Sequence, residues 1–108
     1  MKLFRSSLGE FEELVMIIVA ILGDKAYGVA VQEEIKKQAG REISISAIHS
    51  VLTRLEQKNY LLSWMGGQTD ERGGRRKRYF KLTGSGKLAL RDLKKLRDDL
   101  WKLLPEIG

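Results

Sequence analysis

The sequence contains no cysteine, one histidine and one proline among its 108 residues. The absence of cysteine excludes disulfide bonds and metal sites built from thiolates. His49 is the single histidine, so a histidine-based catalytic pair or metal centre lacks ligands. Carboxylate pairs and nucleophile–base sets at usable spacing are lacking as well. We therefore expect a protein that is not an enzyme and uses no metal and no cofactor.

Long apolar runs are also lacking. The longest, residues 14–22, falls far short of the roughly 20 residues that a helix needs to cross a bilayer. It follows three glutamates and lacks the basic start and the small-residue cleavage site of a secretion signal. We expect no membrane partner and a cytoplasmic location.

Positive charge is concentrated in one short segment. The formal net charge is +6, yet residues 1–66 carry eight basic and eight acidic side chains. Residues 67–82 carry six basic against two acidic side chains, and residues 83–108 carry six against four. Such focusing favours a polyanionic partner over a general role in solubility.

Hydrophobic periodicity and turn residues predict four helices and one hairpin. The predicted helices span about 10–22, 28–39, 46–58 and 84–104, and the strands span 60–65 and 77–82. Ser46 is the predicted N-cap of the third helix, and Val29, Val31 and Ile35 are the predicted inner residues of the second. The predicted fold class is mainly α with a small β-hairpin. It comprises a winged helix-turn-helix domain over residues 1–83 and a C-terminal dimerisation helix over 84–108.

The third predicted helix separates into two faces. The core side is apolar and consists of Ala47, Ile48, Val51, Leu52 and Leu55. The other side offers hydroxyl, imidazole, guanidinium and amide groups that suit phosphates and base edges in the major groove. Its members are Ser46, His49, Ser50, Thr53, Arg54 and Gln57. An ordinary solvated face is the alternative, but the helix pair before it and the basic hairpin after it favour a DNA-reading role.

The hairpin segment carries five cations within seven residues, together with two glycines. The cations are Arg72, Arg75, Arg76, Lys77 and Arg78. Like charges this close repel one another, so an anionic partner explains them best, and arginine suits a narrow minor groove. The alternatives are a solvated loop without a ligand and a membrane surface. No amphipathic basic helix with exposed aromatic residues supports the membrane alternative.

The last predicted helix carries a heptad-like seam of apolar residues with charged residues outside it. About 20 residues make a rod roughly 30 Å long, which so small a domain cannot cover. Pairing with a second copy would bury the seam, so we expect a homodimer whose reading helices lie about 34 Å apart on a pseudo-palindromic operator. The predicted interface comprises Phe11, Leu14, Leu93, Leu96, Leu100 and Leu103. Trp101 is either an aromatic anchor in this contact or part of a pocket for a flat effector.

From Gly9 to about Leu90 the chain resembles the PadR-like transcriptional regulators. The similar strings are Gly9-Glu10-Phe11-Glu12, Ala26-Tyr27-Gly28-Val29, Leu52-Thr53-Arg54-Leu55-Glu56, Gly73-Gly74-Arg75-Arg76-Lys77-Arg78-Tyr79-Phe80, and Leu82-Thr83 followed by Gly86. The resemblance implies a winged helix with a C-terminal dimerisation helix, usually a bacterial repressor and often released by a small effector. The single C-terminal helix resembles the short subfamily. His49 departs from the pattern, because the family usually has a tyrosine at this DNA-facing position.

The leading hypothesis is a homodimeric regulator that binds double-stranded DNA sequence-specifically and responds to a small aromatic or hydrophobic effector. In it, the third helix reads bases while Arg54 and the hairpin arginines hold phosphates or enter the minor groove. The alternative is a protein-interaction module that uses the winged fold to dock an acidic partner. That alternative predicts that alanine at Arg75, Arg76 and Lys77 leaves DNA affinity unchanged.

Overall fold

The computed structural model of the chain describes residues 8–66 and 76–106. The elements in chain order are α1 (Glu10–Leu22), a short 3-10 turn (Gly23–Lys25), α2 (Gly28–Ala39), α3 (Ile45–Gln57), β1 (Leu61–Gly66), β2 (Lys77–Leu82) and α4 (Gly84–Leu103). This order confirms the predicted fold class, three helices followed by a hairpin and one long C-terminal helix. We call β1, β2 and the segment between them the wing.

One apolar core holds α1, α2, α3 and the wing together. The buried apolar residues are Val15, Met16, Ile18, Val19, Ala26, Val31, Ile35, Ile48, Val51, Leu52, Leu55, Leu61 and Phe80. α1 is apolar around most of its circumference, which is typical of a helix packed on several sides. Phe80, which is 2% exposed, anchors β2 in this core.

The predicted N-cap of α3 is wrong by two residues. Ser44 caps the helix, and its Oγ accepts a hydrogen bond of 3.1 Å from the Ala47 backbone N–H. Ser44 is extended (φ −66°, ψ 152°), and its carbonyl accepts the first helical bond from Ile48. Ser46 therefore lies inside the first turn, where its side chain is exposed. Two serines in one short stretch are equivalent as caps in sequence terms, so tertiary packing chose between them.

The predicted inner face of α2 is correct for Val31 and Ile35, which are fully buried, and wrong for Val29, which is exposed. The reason is helical geometry. Val31 and Ile35 are four residues apart and share a face, whereas two residues rotate the helix by about 200°. Val29 therefore points away from the core. The end of α2 is as predicted, because Gly40 adopts the left-handed conformation (φ 67°) that terminates a helix.

The wing is an antiparallel pair in which Leu61 lies opposite Leu82 and Gly66 lies opposite Lys77. The chain before α2 extends this sheet, because the Phe80 backbone N–H donates to the Ala26 carbonyl at 2.9 Å. Tyr27 forms an isolated antiparallel bridge with Tyr79. The start of α2 is thus attached directly to the wing.

The first turn of α4 packs so closely on the chain just before β1 that position 86 tolerates no side chain. Thr83 caps the helix, and its Oγ1 accepts a 2.9 Å bond from the Gly86 backbone N–H. Gly86 is buried, and a Cβ there would collide with the carbonyl oxygen of Tyr60. The backbone of α4 therefore contacts the chain just before β1 directly.

We expect Gly86→Ala to lower the free energy of unfolding by about 1–3 kcal/mol, because the added methyl group meets a backbone atom that cannot rotate away. Urea unfolding measures the change. Gly84→Ala is the matched control, since a Cβ at Gly84 has no neighbour within 4 Å. Equal unfolding midpoints for the two variants would contradict the close approach of α4 to Tyr60.

Candidate nucleic-acid interface

The polar side of α3 forms one continuous exposed surface, which we call the reading face. Its members are Ser46, His49, Ser50, Thr53, Arg54 and Gln57, and each is exposed. All except Ser46 line a shallow, open concavity on the protein surface. On the opposite side of the helix, Ile48, Val51, Leu52 and Leu55 are buried, and Ala47 is half-buried. The predicted division of α3 into two faces is therefore present in the fold.

His49 packs against bare backbone at the start of α2. A Cβ at Gly28 would lie 2.6 Å from Cε1 and 3.0 Å from Nε2 of the His49 ring. The imidazole therefore occupies the space that a side chain at position 28 would need. This contact joins the reading face to the first turn of α2. Its only trace in the sequence is a glycine at the start of a predicted helix.

Arg54 is held at the edge of the reading face by a carboxylate of α1. Its Nη1 lies 3.3 Å from Oε2 of Glu12, and Lys58 Nζ donates to both Glu12 oxygens at 2.9 Å. Burial by itself would raise the pKa of the Glu12 carboxyl. The Gly9 backbone N–H, Lys58 and Arg54 outweigh that effect and hold the pKa below its ordinary value. Glu12 is therefore ionised near neutral pH, and it orients an Arg54 side chain that remains half-exposed.

A chain of hydrogen bonds attaches the wing to the end of α3. Ser63 of β1 donates from Oγ to Glu56 Oε2 at 2.7 Å, and Arg78 of β2 donates from Nη1 to Ser63 Oγ at 2.9 Å. One guanidinium nitrogen of Arg78 is thus bound to the protein, although Arg78 as a whole is exposed. These bonds fix the base of the wing relative to the reading face.

The outer side of the wing carries stacked aromatic rings and two lysines. The Trp64 and Tyr79 rings are stacked at 5.8 Å, and Tyr79 meets Tyr27 edge-on at 5.5 Å. Lys77 Nζ lies 4.8 Å from the centre of the Tyr27 ring, and Lys81 Nζ lies 6.0 Å from the centre of the Trp64 ring. Such contacts order the lysine side chains without neutralising their charge.

Three of the five predicted wing cations lie within the described residues. Arg76, Lys77 and Arg78 are all exposed at the start of β2. Arg72 and Arg75 lie outside the described residues. Two of the described cations are held in place by neighbouring side chains. Lys77 lies over the Tyr27 ring, and Arg78 donates a hydrogen bond to Ser63.

The predicted interface residues occupy three different environments. Leu93 is half-buried, whereas Leu96, Leu100 and Leu103 are exposed along α4. Leu14 is half-buried and packs on the core, next in line to the exposed Ile17 and Ile21 of α1. Phe11 also packs on the core, and the Arg41 guanidinium lies 5.1 Å from its ring centre. The Trp101 side chain is 63% exposed.

Three contributors to this surface are absent from the sequence-based predictions. Glu12 orients Arg54, Gly28 receives His49, and Ser63 bridges Glu56 and Arg78. Gly28 and Glu12 stand in strings that carry the family resemblance, which was the available signal. Ser63 had no signal, because one serine in a strand has no distinguishing pattern.

Among residues 8–66 and 76–106, no helix combines the length and the apolar character needed to span a membrane. The same residues bring together no group of three histidine, aspartate or glutamate side chains that could hold a metal ion.

The chain is similar to regulators of one family in both sequence and structure. A sequence profile described as "Transcriptional regulator PadR-like family" matches residues 18–92. A relative from Lysinibacillus sphaericus, named Uncharacterized protein X, is 32% identical over 82 residues, which cover 74% of this chain and 72% of the relative.

Two solved structures show the same fold. A PadR family transcription regulator from Clostridium difficile R20291 has a TM-score of 0.73 at 24% identity, covering 88% of this chain and 94% of its own. A PadR-like transcription factor from Bacteroides fragilis has a TM-score of 0.70 at 23% identity, covering 86% of this chain and 84% of its own.

Proposed function

Because the chain belongs to the PadR-like family of transcriptional regulators, we propose that it binds a pseudo-palindromic DNA operator as a homodimer and represses transcription there. In this proposal α3 enters the major groove and the wing lies over the adjacent minor groove or backbone. The single observation that carries it is the reading face, a polar and exposed helix surface joined through Glu56, Ser63 and Arg78 to the base of a cationic wing.

The chemistry of the reading face suits direct readout of bases. Ser46, Ser50 and Thr53 carry short hydroxyl groups that reach several acceptors and donors, and His49 adds ring nitrogens. Arg54 has one guanidinium nitrogen on Glu12, so its other donors are available for a phosphate. The wing cations Arg72, Arg75, Arg76, Lys77 and Arg78 supply the electrostatic part of the affinity.

The homodimer is supported by apolar surface that the chain does not cover itself. In α4, Ala89, Leu90 and Leu93 are half-buried, whereas further along Leu96, Leu100 and Leu103 are exposed, as is Leu104 just after the helix. On α1, the exposed Ile17 and Ile21 continue at helical spacing from the half-buried Leu14 and form a second strip. Exposed strips of this kind mark interaction surfaces. A second copy of the same chain would bury both through a two-fold interface.

Release by a small aromatic or hydrophobic effector is the regulatory part of the proposal. Trp101 supports it, because a large and mostly exposed indole on α4 could stack on a flat molecule between two subunits. Its role as an aromatic anchor in the dimer contact remains the alternative, and both roles place Trp101 at the same interface.

The test is selection of genomic DNA fragments by the purified protein, followed by titration of the selected duplex at several salt concentrations. We expect a two-fold motif with half-site centres about 34 Å apart, as two reading helices of a dimer require. If the dimer neutralises about eight phosphates, log K falls against log[salt] with a slope of about −7. Fusion of the selected site to a reporter gene gives the sign of regulation.

Two outcomes would contradict the proposal. The first is failure to enrich any two-fold motif, together with a flat salt dependence. The second is undiminished DNA affinity after alanine replaces Arg75, Arg76 and Lys77. The second result would favour an interaction module that docks an acidic protein.

A further inference from the structure

Two consecutive carboxylates of α1, Glu12 and Glu13, are the buried charged side chains of the part of the chain that the structure describes. The two side chains are 8% and 10% exposed. Burying a charge is costly unless a partner compensates it, so each buried carboxylate implies a specific pairing. Glu12 holds Arg54 of the reading face, whereas the partner of Glu13 belongs to α4.

The two carboxylates point to different helices. Glu12 binds Lys58 at 2.9 Å and Arg54 at 3.3 Å, and these two cations lie in and just after α3. Glu13 binds Arg97 of α4, whose Nη1 lies 2.5 Å from Oε1 and 2.6 Å from Oε2. Successive helical residues are rotated by about 100°, which lets neighbouring side chains reach separate partners.

Arg97 attaches α4 at a second point along its length. The first point is Gly86, which lies against the Tyr60 carbonyl. Arg97 follows eleven residues later, about 16 Å along the helix axis at the usual rise. Leu90 packs on the core between these two points. The Arg97 contact therefore extends the attached part of α4, and a longer attached part defines the direction of the axis more firmly.

An ionic contact adds a directional preference, which apolar packing lacks. The hydrophobic effect is non-directional, so packing alone tolerates rotation and sliding of one helix on another. Charge-assisted hydrogen bonds have defined geometry at both partners. The carboxylates on α1 therefore define the orientations of α3 and α4 relative to the same turn of the same helix.

We propose that Glu12 and Glu13 are positioning residues that together hold α3 at a defined orientation relative to α4. We call these two residues and their partners Arg54, Lys58 and Arg97 the ionic junction. The inference deepens the proposed function and rests on it. In the proposed dimer, α4 contacts the second copy of the chain. The orientation of α3 relative to α4 therefore sets the separation of the two reading faces, and hence the half-site spacing that the protein accepts.

The first arm of the test measures geometry without DNA. The chain has no cysteine, so Gln57→Cys on α3 and Lys102→Cys on α4 give a clean pair of spin-labelling sites. The doubly labelled protein is diluted with unlabelled protein, and the distance distribution within one chain is measured by pulsed electron paramagnetic resonance. We expect Glu13→Gln and Arg97→Gln to broaden the distribution to the same extent. The matched control is Lys94→Gln, which removes an exposed ion pair with Asp98 on the same helix and leaves the distribution unchanged.

The second arm measures the consequence for DNA. Duplexes carry two selected half-sites whose spacing differs by single base pairs, and a further duplex carries one half-site. We expect Glu13→Gln to reduce the preference for the native spacing by about five-fold, the lower end of typical coupling between sites. Affinity for the single half-site stays at the level of the unsubstituted protein, because the partner of Glu13 is Arg97 of α4 and not a member of the reading face. Loss of a merely structural contact would lower both affinities together.

The outcomes separate this inference from the proposed function. Unchanged distance distributions in Glu13→Gln and Arg97→Gln overturn the ionic junction, whatever the protein binds. A changed distribution with an unchanged spacing preference overturns its role in operator choice. Absence of DNA binding by the unsubstituted protein overturns the proposed function, while the distance measurement still decides whether the junction positions the helices.

Discussion

Thr53→Glu is expected to weaken operator binding by about 100-fold or more, because it places a carboxylate against DNA phosphates, and like charges in an interface cost several kcal/mol. Thr53 is exposed and lines the concavity of the reading face. The fold should therefore be unaffected. Fluorescence anisotropy with the selected duplex measures the loss, and circular dichroism verifies the helix content.

Ser85→Glu is the matched control for this prediction. It adds the same charge at an exposed position in the first turn of α4, where a carboxylate is favourable. We expect its operator affinity to stay within a few-fold of the unsubstituted protein, since only the overall net charge changes. Equal losses in the two variants would show that net charge, and not the reading face, controls binding. Full affinity in Thr53→Glu would place the DNA on another surface.

Leu100→Glu is expected to dissociate the homodimer. Leu100 lies in the exposed apolar strip of α4, and a buried carboxylate without a partner at the dimer contact is strongly unfavourable. Two linked reading helices gain about 10²–10⁴-fold in avidity over one, so affinity for the two-half-site operator should fall by about 100-fold or more. Affinity for a single half-site should be retained. Analytical ultracentrifugation gives the oligomeric state, and anisotropy gives both affinities.

Leu88→Glu provides an unusually close control. Leu88 lies on the same helix and is 56% exposed, compared with 52% for Leu100. Twelve residues of helical rotation place the two leucines about 120° apart around α4, so Leu88 is outside the strip. We expect Leu88→Glu to remain dimeric. A dimeric Leu100→Glu protein, or a monomeric Leu88→Glu protein, would locate the interface elsewhere.

The two sides of α3 illustrate how far the candidate site can be predicted from sequence. Their separation follows from the spacing of Ile48, Val51, Leu52 and Leu55, because apolar residues repeated at helical spacing must share one face. The predicted N-cap of the same helix is wrong, since Ser44 and Ser46 are equally good caps and packing decides between them. Periodicity therefore predicts which side of a helix is buried better than it predicts where the helix begins.

The wing illustrates a different limit. Its strands and its cationic run follow from alternation and composition, and β2 lies at Lys77–Leu82 as the pattern predicts. The contacts that orient it were not predictable. Ser63 could bind many partners, and the β1–β2 register, together with the packing of β1 on α3, places it between Glu56 and Arg78.

The sequence by itself determined the elements, the single concentration of positive charge and the polar face of α3. Each of these depends on residues within one or two turns or along one strand, where the backbone alone sets the geometry. Only the tertiary structure decided that Glu12 meets Lys58 across 46 residues and that Glu13 meets Arg97 across 84. It also placed the His49 ring on Gly28. The packing of whole helices determines which residues distant in sequence lie close together. A buried charge therefore pairs with the opposite charge that this packing places next to it.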